Sequence, residues 1–360
     1  MSDRGLTGTY EQSRQRFLAS ADAAGARVES FPHPSAGMSG EPLAIDVATF
    51  GAADAPAVLL IVSGTHGVEG FTGSALQHHW LDRISAGGLP TGLRVVLLHA
   101  FNPYGFAWVR RVTEDNVDLN RNFVDWSQPP PPNEEYGGLA HLLVPDAWDD
   151  DTQQSTTLQL LAYAEEVGFP TLQEVVSGGQ YTHPTGVFYG GTGPVWSHRW
   201  LDEHLGGIVG SATRLGIVDL HTGLGPWGHG ELISHEGGDA PGYRRGTEWW
   251  GDVRSMLDGE SVSANLSGDW LGAVERLVSD VEITAAALEF GTVDTVTVLQ
   301  SLRADAVLHA SGDPLGPGSD SVRARVRAAF ADDDPAWFDA VSARFDEVID
   351  AAVAQLAPTT

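Results

Sequence analysis

Two imidazoles and one carboxylate define the chemistry this chain can do. His66 and Glu69 sit three positions apart in His66-Gly67-Val68-Glu69, and His221 lies far downstream. That donor set is what a hydrolytic zinc site uses: three protein ligands and a fourth position open to water. HxxE alone arises by chance in a chain with 13 histidines, so its setting decides. Ala57 to Val62 is an unbroken apolar run that reads as a buried strand, and Ser63-Gly64-Thr65 reads as the turn leaving it. Gly216 to His221 repeats the pattern and ends at Thr222-Gly223. Both histidines therefore belong at the carboxyl ends of buried strands, where open α/β sheets bind ligands and hold side chains rigidly.

Two further groups could act beside such a site. Arg110, Arg111 and Arg121 fall within Asn102 to Phe123, in a chain with only 20 basic residues. Guanidinium groups bind carboxylates through paired hydrogen bonds and stabilise a developing oxyanion. The plainer alternative pairs them structurally with Glu114, Asp115 and Asp118. Glu289 is an acid inside the apolar run Ala287-Leu288-Glu289-Phe290. A buried carboxylate needs a partner, a raised pKa or a metal-activated water nearby. Glu289 fits a general base that deprotonates the attacking water and protonates the leaving amine. Its alternative role is a strand-end acid reaching solvent or an arginine. The remaining histidines read as hydrogen-bonded structural residues. No G-x-S-x-G elbow, P-loop, HExxH or dinucleotide fingerprint is present.

Composition excludes several classes of partner. The 360 residues carry 48 acids against 20 basic residues, every one an arginine, for a net charge of −28. Nucleic acid and anionic membranes would be repelled. With no cysteine, disulfides and thiolate ligands are excluded and only nitrogen and oxygen ligands remain. The N-terminal segment lacks an apolar signal core, so the expected location is cytoplasmic.

The elements that would hold these residues alternate. A helix is expected over 9–24, a Pro/Gly turn over 32–41 and a strand near 43–50. Strand 57–62, a helix over 70–84 and strand 93–99 then form a crossover unit, which implies parallel strands. Residues 126–151 read as an irregular Pro-rich insertion. Helices near 153–167 and 194–205 lead to strand 215–220, a Gly-rich stretch (223–246), another helix and strand 283–290. A final helix opens with Asp334 as N-cap and Pro335 at its first position. The expectation is a single α/β domain over 1–360: a mixed, largely parallel, twisted sheet with helices on both faces.

The ordered set HxxE at 66–69, Asp118-Leu119-Asn120-Arg121-Asn122-Phe123, His221 and Glu289 resembles the zinc carboxypeptidase superfamily, which includes succinylglutamate desuccinylases and aspartoacylases. The blocks GQYTHPTGVFYGGTGPVWSHRW (179–200) and DLHTGLGPWG (219–228) are similar to a bacterial branch of unknown function. The resemblance implies one zinc ion on His66, Glu69 and His221, with Glu289 as general base and acid. It implies that Asn120 and Arg121 grip a substrate carboxylate and that Arg110 or Arg111, with Arg111 favoured, stabilises the transition state. Tyr243, the only tyrosine between 222 and 288, would then be the mobile tyrosine that closes over substrate. The long interval between the histidines implies extra loops over the cleft and hence small substrates. The expected activity is zinc-dependent hydrolysis of an amide bond next to a carboxylate, carboxypeptidase-like on small peptides. The alternatives are an N-acyl amino acid deacylase and a non-catalytic protein that captures carboxylates.

Overall fold

The structure, a computed structural model, describes residues 5–357, the side chains of 86 and 87 excepted. In chain order the first elements are α1 (Tyr10–Ala23), β1 (Arg27–Ala36), β2 (Pro42–Phe50), β3 (Ala57–Ser63), α2 (Gly70–Gly87), β4 (Leu93–His99) and α3 (Pro103–Trp108). A helical stretch follows, with α4 (Tyr136–Leu143), α5 (Asp150–Val167), α6 (Phe169–Ser177) and α7 (Trp196–Val209). Then come β5 (Arg214–Trp227), β6 (Gly230–Ser234), α8 (Pro241–Trp250), β7 (Val253–Ser255), α9 (Val274–Leu277) and β8 (Glu282–Gly291). Three helices close the chain: α10 (Thr295–Ser311), α11 (Ser319–Phe330) and α12 (Pro335–Leu356).

The strands form one 8-stranded sheet in the order β1-β2-β4-β3-β5-β8-β6-β7. Its centre, β4-β3-β5-β8, is parallel throughout, as continuous apolar runs buried on both faces require. Antiparallel pairings join β1 to β2, β2 to β4 and β6 to β8. The side-chain period of two divides each strand between two cores. Leu59, Ile61, Val218 and Leu288 face a layer that includes Phe17, Trp80, Trp249 and Phe345 of α1, α2, α8 and α12. Val58, Leu60, Ile217 and Ile283 face Leu201 and Leu205 of α7 together with Trp270 and Val274. Helices α3, α4, α5, α6, α10 and α11 contribute to a third cluster with Val68, Phe71 and Ala100, which follow the carboxyl ends of β3 and β4.

Several expectations over the irregular stretches need correction. The first half of the turn expected over 32–41 is strand, since β1 runs through Pro32 and Pro34 to Ala36, and the turn itself follows at 38–39. Both prolines are tolerated because β1 is the sheet edge, and the register shifts between Pro32 and Ala36. The insertion 126–151 is not wholly irregular: α4 lies within it and buries Leu139, Leu142 and Leu143. Asp149 to Asp151, read as loop, begin α5. Asp149 accepts from the Thr152 N–H as N-cap, and the next two acids favour the positive end of the helix dipole. The Gly-rich stretch contains β6. The final helix is as expected: Asp334 caps it, and Phe338, Val341, Phe345, Val348, Ile349, Ala352 and Leu356 are all buried. Among the described residues no helix is long and apolar enough to cross a membrane.

Candidate metal centre

Residues 67–69 form a single 3-10 turn between β3 and α2, with His66 at its N-cap. At three residues per turn, positions i and i+3 eclipse, so His66 and Glu69 share one side. Backbone bonds fix the turn, with Gly67 N donating to Arg111 O at 3.1 Å and Val68 N to Arg110 O at 2.8 Å. Residue 67 must be glycine, since an added Cβ would collide with the backbone of Gly105 and Phe106. On the other strand, parallel register sets His221 of β5 directly beside Glu289 of β8. Asp219, two residues before His221, shares its face.

His66 Nδ1 lies 2.9 Å from Glu69 Oε1, His221 Nδ1 lies 2.9 Å from Glu69 Oε2, and the two Nδ1 atoms are 3.2 Å apart. All three residues are buried. Each ring turns its other nitrogen toward a buried carboxylate: His221 Nε2 is hydrogen-bonded to Asp219 Oδ2 at 2.6 Å, whereas His66 Nε2 stands 3.3 Å from Asp118 Oδ1 without a hydrogen bond. A carboxylate behind a metal-ligating histidine orients the ring and raises its basicity. Asp219 is itself fixed by the Thr65 hydroxyl and the Trp270 indole N–H, each donating at 2.7 Å.

Electrostatics separate the acids. Burial alone would raise the Glu69 carboxyl, but His66 and His221 hold it well below the usual carboxylate range. Burial would likewise raise Asp118, and Arg111, Arg121 and His66 keep it far below. Burial would lower His221, yet Asp219 and then Glu69 lift it well above 6.5. Glu289 goes the other way: burial, then the negative charge of Glu69, push it up to about 7. A Glu289 oxygen accepts from the Leu224 N–H at 2.9 Å.

These groups open onto one cavity of about 420 Å³, lined by His66, Arg111, Asn120, Arg121, His221 and Glu289 among others. Arg111 donates to Asp118 Oδ2 at 2.9 Å and to Glu69 Oε1 at 3.3 Å. Arg121 is anchored on the Ser177 carbonyl at 3.0 and 2.6 Å. Both guanidinium carbons lie 5.5 Å from the ring centroid of Phe188, whose φ of 55° is unusual for a non-glycine residue. Asn120 accepts from the Trp270 N–H at 3.4 Å.

Two expected residues are not brought to the cavity. Arg110 turns away from its neighbour and pairs with Asp305 of α10 at 2.9 Å, also donating to Asn116 at 2.9 Å. Its role is structural, but its partner is Asp305 rather than the nearby Glu114, Asp115 or Asp118 of the plainer sequence reading. Tyr243 lies in α8, against the opposite face of the sheet, and its hydroxyl donates to the Val253 carbonyl at 3.1 Å. Chain order alone had nominated it. Sequence reasoning missed Asp219, Trp270 and Phe188 and read Asp118 only as an ion-pair partner. For Asp219 a signal existed, since it is an acid inside the apolar run before His221.

The donor set suits zinc. Two neutral-capable imidazoles and a carboxylate are borderline and hard ligands, and no thiolate is available. Ligands about 2.0–2.1 Å from a tetrahedral ion stand roughly 3.3 Å apart. The 2.9–3.2 Å separations here are close to that spacing. Residues 7–344 match the family described as protein of unknown function (DUF2817). The chain belongs to that family. No curated protein matches it. Solved structures resemble this DUF2817 fold distantly. A candidate metallopeptidase of Shewanella amazonensis SB2B is 15% identical, with TM-score 0.45, over 97% of this chain and 94% of its own. Carboxypeptidase A of Helicoverpa armigera is 12% identical, with TM-score 0.49, over 91% and 75%. An aspartoacylase family protein of Mesorhizobium loti is 15% identical, with TM-score 0.39, over 81% and 68%.

Proposed function

We propose that this protein is a zinc-dependent hydrolase of an amide bond next to a carboxylate. One observation carries the reading: the His-Glu-His cluster shares a cavity with a second carboxylate, Glu289, which strand register holds beside His221. Glu69 is held deprotonated as a ligand should be, while Glu289, whose carboxyl is pushed up by burial and the Glu69 charge, lies outside the ligand set and is left to take and return a proton. His66, Glu69 and His221 would hold the ion, which when bound polarises the scissile carbonyl and makes water more acidic.

The chain's own residues do the rest. Asn120 and Arg121 receive the substrate carboxylate, which fixes the amide relative to the cluster. Arg111 donates to the oxygen that gains charge during attack, an interaction typically worth about 3 kcal/mol. Glu289 removes a proton from the attacking water and delivers it to the departing nitrogen. Asp219 holds the His221 imidazole in place, and the Asp118 charge lies beside that of His66. A peptide with a free carboxyl terminus and an N-acyl amino acid both meet these requirements.

The test pairs metal analysis with turnover. Purified protein should take up one zinc per chain, and the loaded protein should hydrolyse members of a panel of dipeptides and N-acyl amino acids. Glu289→Gln should keep the zinc and lose turnover. Full activity in that variant would sink the assigned role. Zinc uptake with no turnover on any amide would favour the carboxylate-capturing alternative.

A further inference from the structure

The metal-centre end of the cavity is polar, but a large part of the facing wall is not. Phe169, Leu172 and Val176 recur on α6 at the spacing of one helical stripe, and all three line the cavity. Leu161 of α5 and Val296 and Leu299 of α10 extend the same apolar surface. The stripe has an inner and an outer end. Val176, only 2% exposed, precedes Ser177, whose carbonyl anchors the Arg121 guanidinium. At the outer end Phe169 is 61% exposed, Val296 52% and Leu161 37%. Single exposed apolar residues are ordinary, whereas several lining one cavity and continuing inward mark a binding surface.

We propose that the substrate is an N-acyl amino acid carrying an unbranched aliphatic acyl chain that lies along this stripe and leaves over the rim. The proposal rests on the hydrolase reading above and names its substrate class. The water oxygen bonds to the acyl carbon, the carbon–nitrogen bond breaks, and both of the water's protons end on the departing amine. The products are a fatty carboxylate and a free amino acid, with no other reactant. Because the inner end of the stripe adjoins Arg121, an occupant on either side of the amide can reach it, and the open outer rim, where Phe169, Val296 and Leu161 are exposed, favours the longer acyl chain. An amino-acid side chain is short and needs an enclosed pocket, whereas an alkyl chain can continue past Val176 to Phe169. With a net charge of −28, an anionic lipid surface is a poor occupant for that rim.

The full chain carrying Glu289→Gln, which should bind without turnover, is titrated by calorimetry with N-acetyl-, N-octanoyl- and N-dodecanoylglycine. A fourth ligand, N-acetyl-2-aminodecanoic acid, moves an alkyl chain to the other side of the amide. Affinity should rise roughly four-fold per methylene, the equivalent of ~0.8 kcal/mol, and level off as the chain passes the rim. Phe169→Asp, at an exposed position, should cut the preference for dodecanoyl over acetyl several-fold. Equal affinities along the glycine series would overturn the proposal, as would tightening confined to the fourth ligand. Chain-length preference in binding, with no hydrolysis by the zinc-loaded wild type, would overturn the hydrolase reading and leave the apolar site standing.

Discussion

Replacing Asp219 with asparagine removes one charge from behind His221 while preserving nearly every contact. Asp219 has no exposed surface; one oxygen accepts from Thr65 at 2.7 Å, and the other meets Trp270 at 2.7 Å and His221 at 2.6 Å. An asparagine can turn its carbonyl oxygen to His221 and Trp270 and its amide to the Thr65 hydroxyl, which can accept. The fold should therefore survive, and the loss should be electrostatic. A carboxylate behind a ligating histidine typically contributes 10–100-fold to metal affinity, or about 1.4–2.7 kcal/mol. A second effect opposes the first. Burial would hold His221 low, but Asp219 raises it well above 6.5, and that proton must leave before a metal enters. The variant gives up the proton more readily, so its deficit should shrink as pH falls and be largest in alkaline buffer. Competition against a chromogenic zinc chelator between about pH 6 and about pH 9 reads this directly, with thermal unfolding of the metal-free protein as a control. An unchanged affinity near the alkaline end, or a deficit that grows toward acid, would refute the reasoning.

Adjacent arginines should behave oppositely. Arg111→Met is expected to lower kcat by about 10²–10³-fold on any accepted substrate, the cost of losing one donor to a developing oxyanion. Arg110→Met should instead lower thermal stability, because it leaves the buried Asp305 carboxylate with only His309, 3.6 Å away, beside it, with steady-state kinetics separating the two. Gly67→Ala should displace the HxxE turn and weaken zinc binding, measured by the same chelator competition. Acid stability is set partly by His99, which burial pushes down to about 4 from 6.5. Its unfolded form binds the extra proton, so stability is full above 6.5 and declines as pH falls toward 4, by at most about 3 kcal/mol. Denaturant titrations across that window should show the decline, and His99→Gln should flatten it.

Where the sequence was legible, the reason was periodicity or an unbroken apolar run. β3 and β4 are buried on both faces and β8 is nearly so, which makes them announce themselves, and α12 shows its stripe and cap in order. β1 was hidden because an edge strand can carry prolines and expose most of its side chains. The short helices α4 and α6 were hidden behind a Pro-rich stretch and Gly168-Phe169-Pro170. HxxE, His221 and Glu289 could be placed because each sits at a strand end, where position implies direction. Arg110 and Arg111 could not be told apart, since outside regular structure nothing in sequence fixes where neighbours point. Tyr243 was nominated by order along the chain, and its helix packs on the wrong face. The aspartates behind the histidines depend on contacts such as Asp219 with Trp270, 51 residues apart, which no local pattern records.

The pairing of His221 with Glu289 has an evolutionary consequence. Because the two are register partners on adjacent parallel strands, the backbone ladder itself acts as the ruler between ligand and base. A single-residue insertion within β8 ahead of Glu289 would turn that side chain to the far face of the sheet. Residues 256–268, by contrast, line part of the cavity without pairing with either strand. The chemistry and the substrate-facing loops are thus free to diverge separately. Loop exchange between family members over that interval is a natural route to new specificities, while length changes within the strands should be lethal to activity.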